Sequence, residues 1–310
     1  MNVENFSEWL RRQGHDVIKT ESSYWYDAGP RVLQAFPYNW IIQPTESELH
    51  ELLVNKGVLA LRYSTPLEAS DGLVSYHVYQ QSPYDLDILS GKTRYNIRQG
   101  MKNSQIEQIS FSKLAKEGWA LQKDTLTRQG RLNSMRQTDW DKLCLAAEGL
   151  PGFEAWAAIV EGELAAAMIT ARIDDSYFLL YELSHQKYFT IHVNNGLYFV
   201  ATSNMLSQEG AREVFLSLHS LDAPESINDF KFRMNFSARP VRQRVVFHPM
   251  IAPLVNKLSH KFLATIMHAF TGNNTLCKAD GMVRFYIEGK KPLQEQVWPN
   301  CISEYRSTYI

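Results

Sequence analysis

The sequence predicts an α/β protein, a mixed sheet with helices on its faces. Three observations carry that prediction. From Phe153 onward the elements run strand, strand, strand, helix, strand, helix, strand. A meander that feeds a β-α-β crossover gives a sheet with both parallel and antiparallel pairs. Strand segments alternate, as Val74, Tyr76 and Val78 do against Ser75, His77 and Tyr79. Finally, 310 residues that are 45% hydrophobic and 21% charged have the composition of a globular chain with a sizeable core.

In the first half, Phe6–Gln13 reads as a short helix and the aromatic-rich stretch from Val17 to Pro44 as extended chain. Phe36, Tyr38 and Trp40 alternate, so a strand through them places all three on one face. Thr45 and Glu48 have capping-box spacing ahead of Leu49, Leu52 and Leu53, and Gly57 can end that helix. Val58–Ser64 and Leu73–Gln80 read as strands. A basic helix runs from Lys92 to Asn103–Gln105, with Ser90 or Thr93 as its cap. It carries Lys92, Arg94, Arg98 and Lys102. A cation near a helix N-terminus opposes the macrodipole by roughly 0.3–1 kcal/mol. Arg94 and Arg98 share one helix face. Ile106–Phe111 reads as a strand, Ser112–Thr125 as a helix, and the polar Gln129–Gln137 as a linker.

In the second half, Thr138 with Asp141 has capping-box spacing and opens a helix that Gly149-Leu150-Pro151-Gly152 breaks. Phe153–Val160, Leu164–Ile173 and Tyr177–Ser184 form the meander, followed by a loop, His185–Val193. Asn194-Asn195-Gly196 opens a helix that Gly210 closes. Glu213–His219 is a strand. Asp222–Asp229 is a loop leading to a short helix, Phe230–Phe236, and Val241–Phe247 is a strand with Pro240 and Pro249 outside it. Ligands of such sheets sit at carboxyl ends of strands, next to helix N-termini. That rule points to the region between Tyr181–Ser184 and Asn194–Gly196.

Composition excludes several classes. A formal net charge of -1 leaves no global footprint for nucleic acid or an anionic membrane, so any basic site is a local patch. Cys144, Cys277 and Cys301 are far apart and without C-x-x-C spacing, which suits a reducing cytoplasm rather than a disulfide framework or zinc site. The first residues, Met1-Asn2-Val3-Glu4-Asn5, lack the layout of a signal peptide. No membrane span is expected. Ala252–Phe270 comes nearest, but Asn256, Lys257, His260, Lys261 and His268 interrupt it. It reads as a helix packed on the domain, with an interfacial helix as the alternative because its polar face is basic. No metal-ligand spacing, P-loop or G-x-S-x-G elbow is present.

Three segments in order carry a family resemblance. Thr93-Arg94-Tyr95-Asn96-Ile97-Arg98 resembles the T-R-x-N-[IV]-R signature of the FemAB-like branch of the GNAT superfamily of N-acyltransferases. Trp156–Leu164 resembles the strand-turn-strand before the acyl-donor site, and Phe230–Phe236 resembles an F-K-x-x-F-G segment. The resemblance covers Val17 to Pro249 and implies two GNAT-like halves, the first degenerate. Residues 1–135 would be that half, 136–250 the acyltransferase half, and 251–310 a helix and tail packed on the domain. Two departures stand out. Asn235-Phe236-Ser237 replaces the glycine end of the third segment, and Asn194-Asn195-Gly196 stands where the Gly-rich pyrophosphate loop belongs.

The implied activity is transfer of an acyl group from acyl-CoA (acetyl-CoA) to the amine of a small-molecule, sugar or peptide acceptor. The alternatives are an aminoacyl-tRNA-dependent transferase, which the net charge disfavours, and a silent GNAT-like binding protein. Amine acylation needs a proton acceptor, oxyanion stabilisation and a proton for the leaving group. Glu182 reads as a general base or as a carboxylate paired to a cation. His185 is the other candidate base. Lys231 reads as an oxyanion-stabilising cation, as the resemblance implies, or as a surface lysine. Leu183, Ser184, Asn194, Asn195 and Gly196 would hold the donor. Arg94 and Arg98 suit an acceptor carboxylate or phosphate, or docking of the two halves. Tyr38 and Trp40 would wall an acceptor pocket or belong to the core.

Overall fold

The structure, a computed structural model, describes residues 2–131, 134–221, 225–269 and 274–310. In chain order, α1 (Val3–Gln13) precedes β1 (Val17–Lys19), β2 (Tyr24–Gly29) and β3 (Val32–Phe36). Next come α2 (Glu46–His50), which runs into a π-helical turn at Glu51–Asn55, then β4 (Ala60–Thr65) and β5 (Leu73–Gln81). The following elements are α3 (Gly91–Asn103), β6 (Gln105–Ile109), α4 (Phe111–Arg128) and α5 (Gln137–Ala147). The meander is β7 (Phe153–Val160), β8 (Glu163–Ile173) and β9 (Ser176–Ser184). A 3-10 turn, Gln186–Ile191, leads to α6 (Val193–Ser207), β10 (Glu213–Leu218), α7 (Glu225–Arg233) and β11 (Ser237–Phe247). Three further helices follow among the described residues, α8 (Lys257–Ala269), α9 (Asn274–Gly289) and α10 (Arg306–Tyr309).

These elements form two compact units that interleave along the chain. The first comprises Met1–Gly14, Val78–Ser217 and Ala223–Ser237; the second comprises His15–His77, Leu218–Asp222 and Ala238–Ile310. The expected boundaries at 135 and 250 therefore do not mark the compact units. Sequence reading follows chain order, whereas strands from distant parts of the chain pair with one another.

In the first unit β10-β9-β8-β7-β6 lie side by side, parallel between β10 and β9 and antiparallel elsewhere. Ala155, Ala157 and Ala158 of β7 and Ala165, Ala166 and Ala167 of β8 are all buried. Their small side chains let helices approach the sheet closely: α4 packs against β8 and β9, and α6 against β7 and β8. Ser90 caps α3 by accepting from Thr93 N, and Ser110 caps α4 in the same way from Lys113 N. The expected cap at Thr138 is corrected. The cap is Arg136, two residues earlier, and α5 starts at Gln137: the Asp139 carboxylate accepts from Arg136 N at 3.2 Å and pairs with the Arg136 guanidinium at 2.9 Å. The linker expected at Gln129–Gln137 includes residues 132 and 133, which lie outside the described residues, as do 222–224 of the loop expected at Asp222–Asp229.

Helix α7 starts and ends earlier than expected. Asn235 takes the left-handed conformation (φ 63°). Asn235 N donates to Phe232 O and Phe236 N to Lys231 O, the paired bonds of a Schellman end. Asparagine tolerates the left-handed conformation better than most residues with a Cβ. Pro240 lies inside β11 rather than before it, but pairing with β4 begins only at Arg242, so its missing N–H costs that ladder nothing.

The second unit orders its strands β1-β2-β3-β4-β11-β5. Its core gathers Trp25, Leu33, Leu49, Leu52, Leu61 and Tyr63. Strand β3 ends at Phe36, so Phe36, Tyr38 and Trp40 do not share a strand face. Pro37 has no N–H for the ladder. The chain turns there, Trp40 N donating to Pro37 O at 3.1 Å. The Thr45 cap forms, accepting from Glu48 N at 3.2 Å. The Glu48 side chain does not return it; its carboxylate accepts from Ser22 N at 3.2 Å and Ser22 Oγ at 2.6 Å. From the C-terminal region, Met282 and Phe285 pack with Ala60, Leu73 and Val245.

Candidate functional site

Strands β9 and β10 pair for only three residues, Ser176–Phe178 with Glu213–Phe215. Beyond Phe178 no further pair joins them, so the two parallel strands open into a wedge at their carboxyl ends. On its other edge β9 pairs with β8 as far as Ser184, with Tyr181 opposite Ile169 and Leu179 opposite Thr170. Leu180 is the extra residue of a β-bulge, a device that re-aims the side chains beyond it.

Two residues beyond that bulge stands Glu182. Its carboxylate accepts a hydrogen bond from the Tyr198 hydroxyl of α6 and feels the charge of Lys231 on α7. The Lys231 ammonium donates to Ser217 Oγ, at the end of β10, at 2.9 Å. Four elements thus bring a carboxylate, a phenol, a hydroxyl and an ammonium into one cluster. Tyr198 is buried, its ring edge-on to Phe230 at 5.0 Å, whereas Glu182, Ser217 and Lys231 keep partial exposure.

Burial raises the pKa of Glu182, against the opposing pull of Tyr198 and Lys231. Burial lowers that of Lys231, against the attraction of Glu182. Tyr198 is pushed well above its ordinary value, first by burial and then by Glu182, so it stays a donor. Each member of the Glu–Lys pair is shifted toward its neutral form. A carboxylate with raised proton affinity beside a poorly solvated cation can accept a proton and balance a developing negative charge.

The other expected residues divide. Leu183 is buried in the core. Ser184 N donates to Thr125 Oγ1 at 3.2 Å, and Arg128 Nη2 donates to Ser184 O at 2.9 Å and to its Oγ at 3.2 Å. Asn194 Nδ2 also donates to Ser184 Oγ, at 3.3 Å, and Asn195 Nδ2 lies 3.5 Å from Met234 Sδ. Gly196 has no free N–H: it donates to His192 O, and its Cα side faces Gly100 of α3. It serves helix packing. His185 turns to Asp124, 3.4 Å from Nδ1. Arg94 is half-buried and Arg98 exposed; neither side chain has a hydrogen bond or ion pair among the described residues. Tyr38 and Trp40 belong to the second unit, where the Tyr38 hydroxyl donates to that of Tyr26 at 3.0 Å.

Sequence reading missed Tyr198, Ser217 and Arg128. Tyr198 lies four residues after Asn194, on the same helix face, which was the available signal. Arg128 lies four after Asp124, with 3.8 Å between their charged groups, and its guanidinium covers the Phe189 ring at 4.8 Å. Nothing in the spacing marked Ser217.

No family model matches the sequence, and no curated protein matches it. Solved structures do resemble it. FemX superposes with a TM-score of 0.56 at 8% identity, over 80% of this chain and 92% of its own. The C-terminal domain of a putative lysylphosphatidylglycerol synthetase from Agrobacterium fabrum gives 0.53 at 10%, over 78% and 87%. L-PGS from Bacillus licheniformis gives 0.50 at 11%, over 81% and 93%. At such identities the likeness is one of fold. The chain has a GNAT-like fold.

Proposed function

We propose that this protein is an N-acyltransferase that moves an acyl group from acyl-CoA to an amine. One observation carries the reading: Glu182, Tyr198, Ser217 and Lys231 converge where β9 and β10 part. The amine nitrogen attacks the thioester carbonyl and its proton passes to the Glu182 carboxylate. Lys231 balances the negative charge on the tetrahedral oxygen. The C–S bond then breaks, and the proton held by Glu182 passes on to the thiolate, which restores the carboxylate. Tyr198 holds the Glu182 carboxylate in place.

A second reading has a specific observation behind it. The N–H and C=O of Ser184 are taken up by Thr125 and Arg128, which removes them as partners for a pantetheine arm along β9. An aminoacyl group carried on the ribose of tRNA needs no such strand edge. The name of the Agrobacterium neighbour also contains an aminoacyl product, lysylphosphatidylglycerol.

Thermal unfolding with a panel of short- and long-chain CoA thioesters tests the first reading, which expects at least one to raise Tm. If none does, while a charged tRNA transfers its aminoacyl group to an added amine, the donor is aminoacyl-tRNA. If neither donor is used, acyl transfer is the wrong activity.

A further inference from the structure

Helix α8 leaves an apolar stripe without protein cover. Met250 is 80% exposed, Leu254 68%, Leu258 77% and Phe262 69%. Leu258 and Phe262 share one face of α8, and Leu254, from the turn before it, lines one shallow hollow with them and Lys261. Scattered exposed hydrophobics are ordinary, whereas contiguous ones mark an interaction surface.

The charge around this stripe says what kind of surface covers it. The chain as a whole has 33 acidic residues against 32 Lys and Arg. From Pro249 to Ala279 there is no Asp or Glu, while Lys257, Lys261 and Lys278 are present. The first acid beyond, Asp280 of α9, is buried and already engaged by His260 at 2.9 Å and Arg284 at 3.7 Å. Lys261 is exposed beside Phe262, and Lys257 beside Leu258. Large apolar side chains flanked by lysines and free of carboxylates complement an anionic lipid surface. The rings and aliphatic chains enter the headgroup–acyl boundary while the ammonium groups meet lipid phosphates. No described helix is long and apolar enough to cross a membrane.

We propose that α8, with Met250 and Leu254 just before it, is a peripheral docking surface for an anionic lipid bilayer. Binding is shallow and reversible, and it does not depend on the activity proposed above.

The test is co-sedimentation of the full chain with phosphatidylcholine vesicles, with and without phosphatidylglycerol. The protein is expected to pellet with the anionic vesicles only, and high salt is expected to release it. Each lysine near such a surface contributes about fivefold in partitioning (about 1 kcal/mol). Lys257→Gln with Lys261→Gln therefore weakens binding by roughly ten- to thirtyfold. Leu258→Ser with Phe262→Ser abolishes it, with Tm unchanged because both side chains are exposed. Failure to pellet with anionic vesicles overturns the proposal. So does equal binding by both double variants, or a self-association that the Ser variants abolish, which would make a second copy the occupant.

Discussion

The carboxyl of Glu182 and the ammonium of Lys231 are both held against their own desolvation, and this has measurable consequences. The proposed base, Glu182, could accept a proton only when ionised, so the rate is expected to rise with pH through its raised pKa. The acid limb of kcat/KM is therefore expected above the usual carboxylate range. Tyr198 donates to the ionised form and opposes the rise, so Tyr198→Phe moves that limb to still higher pH. Glu182→Gln lowers kcat by roughly 10²- to 10⁴-fold and Lys231→Ala by roughly 10²-fold. Wild-type turnover in either variant removes the role assigned to that residue. A carboxyl whose folded pKa is raised stabilises the fold below its unfolded value and loses that contribution as pH rises through the folded one. Glu182→Gln is thus expected to raise Tm at pH 8 and to leave it unchanged near pH 4, as scanning calorimetry can show. His77 behaves in the opposite sense. Burial, aided by Arg239, lowers its pKa to about 3. Its neutral form supports the fold above about pH 6.5, and that support falls by about 1.4 kcal/mol per pH unit on the way down. His77→Gln should flatten the acid loss of stability in urea titrations between pH 7 and pH 5.

Between elements, α3 and α6 cross with Gly100 and Gly196 facing one another. A Cβ on Gly100 would lie 2.4 Å from His192 O and 2.8 Å from Gly196 N. Both atoms belong to backbone and cannot step aside as a flexible side chain does. Gly100→Ala is expected to cost about 3 kcal/mol, the upper range for overpacking. Gly91, in the first turn of the same helix, faces open space. Gly91→Ala is therefore expected to change stability by no more than about 0.5 kcal/mol. Chemical denaturation of the two variants makes the comparison. Neither glycine announces its role in the sequence. Gly196 sits where a phosphate-binding glycine would, and only the partner helix shows that packing claims it. The basic α3 was legible because Ser90, the 3.6-residue spacing and the family signature agreed. The meander β7–β9 was legible because its strands are apolar runs separated by short turns at Glu161-Gly162 and Asp174-Asp175. The cap at Thr138 was misread because Arg136 and Asp139 make a competing local bond that spacing rules do not rank.

At the scale of the molecule, the catalytic candidates divide by how far apart in sequence their partners lie. Glu182 and Lys231 could be picked out from a strand end and a family segment. Tyr198, Ser217 and the Arg128 clamp on Ser184 exist only because α4, α6, β9, β10 and α7 pack as they do. The C-terminal region shows the same limit within the second unit. Gln296, buried, accepts from Val74 N at 2.8 Å and donates to Gly72 O at 3.2 Å and Lys291 O at 2.8 Å. A tail glutamine gives no sign in sequence that it ties down the start of β5. Gln296→Ala leaves a buried N–H and two carbonyls without this partner, and is expected to cost about 2–3 kcal/mol by urea denaturation. A cost below about 0.5 kcal/mol would show that the tail merely rests there.

The interleaving of the two units also sets a timetable. A chain leaves the ribosome from its N-terminus at roughly 5–20 residues per second. Residues 15–77 emerge early, yet the unit they belong to still lacks 218–222 and 238–310; residues 1–14 wait for partners up to residue 237. For much of synthesis, then, β1–β4 hang outside the tunnel with unsatisfied edges, exposed to chaperones and to neighbouring nascent chains.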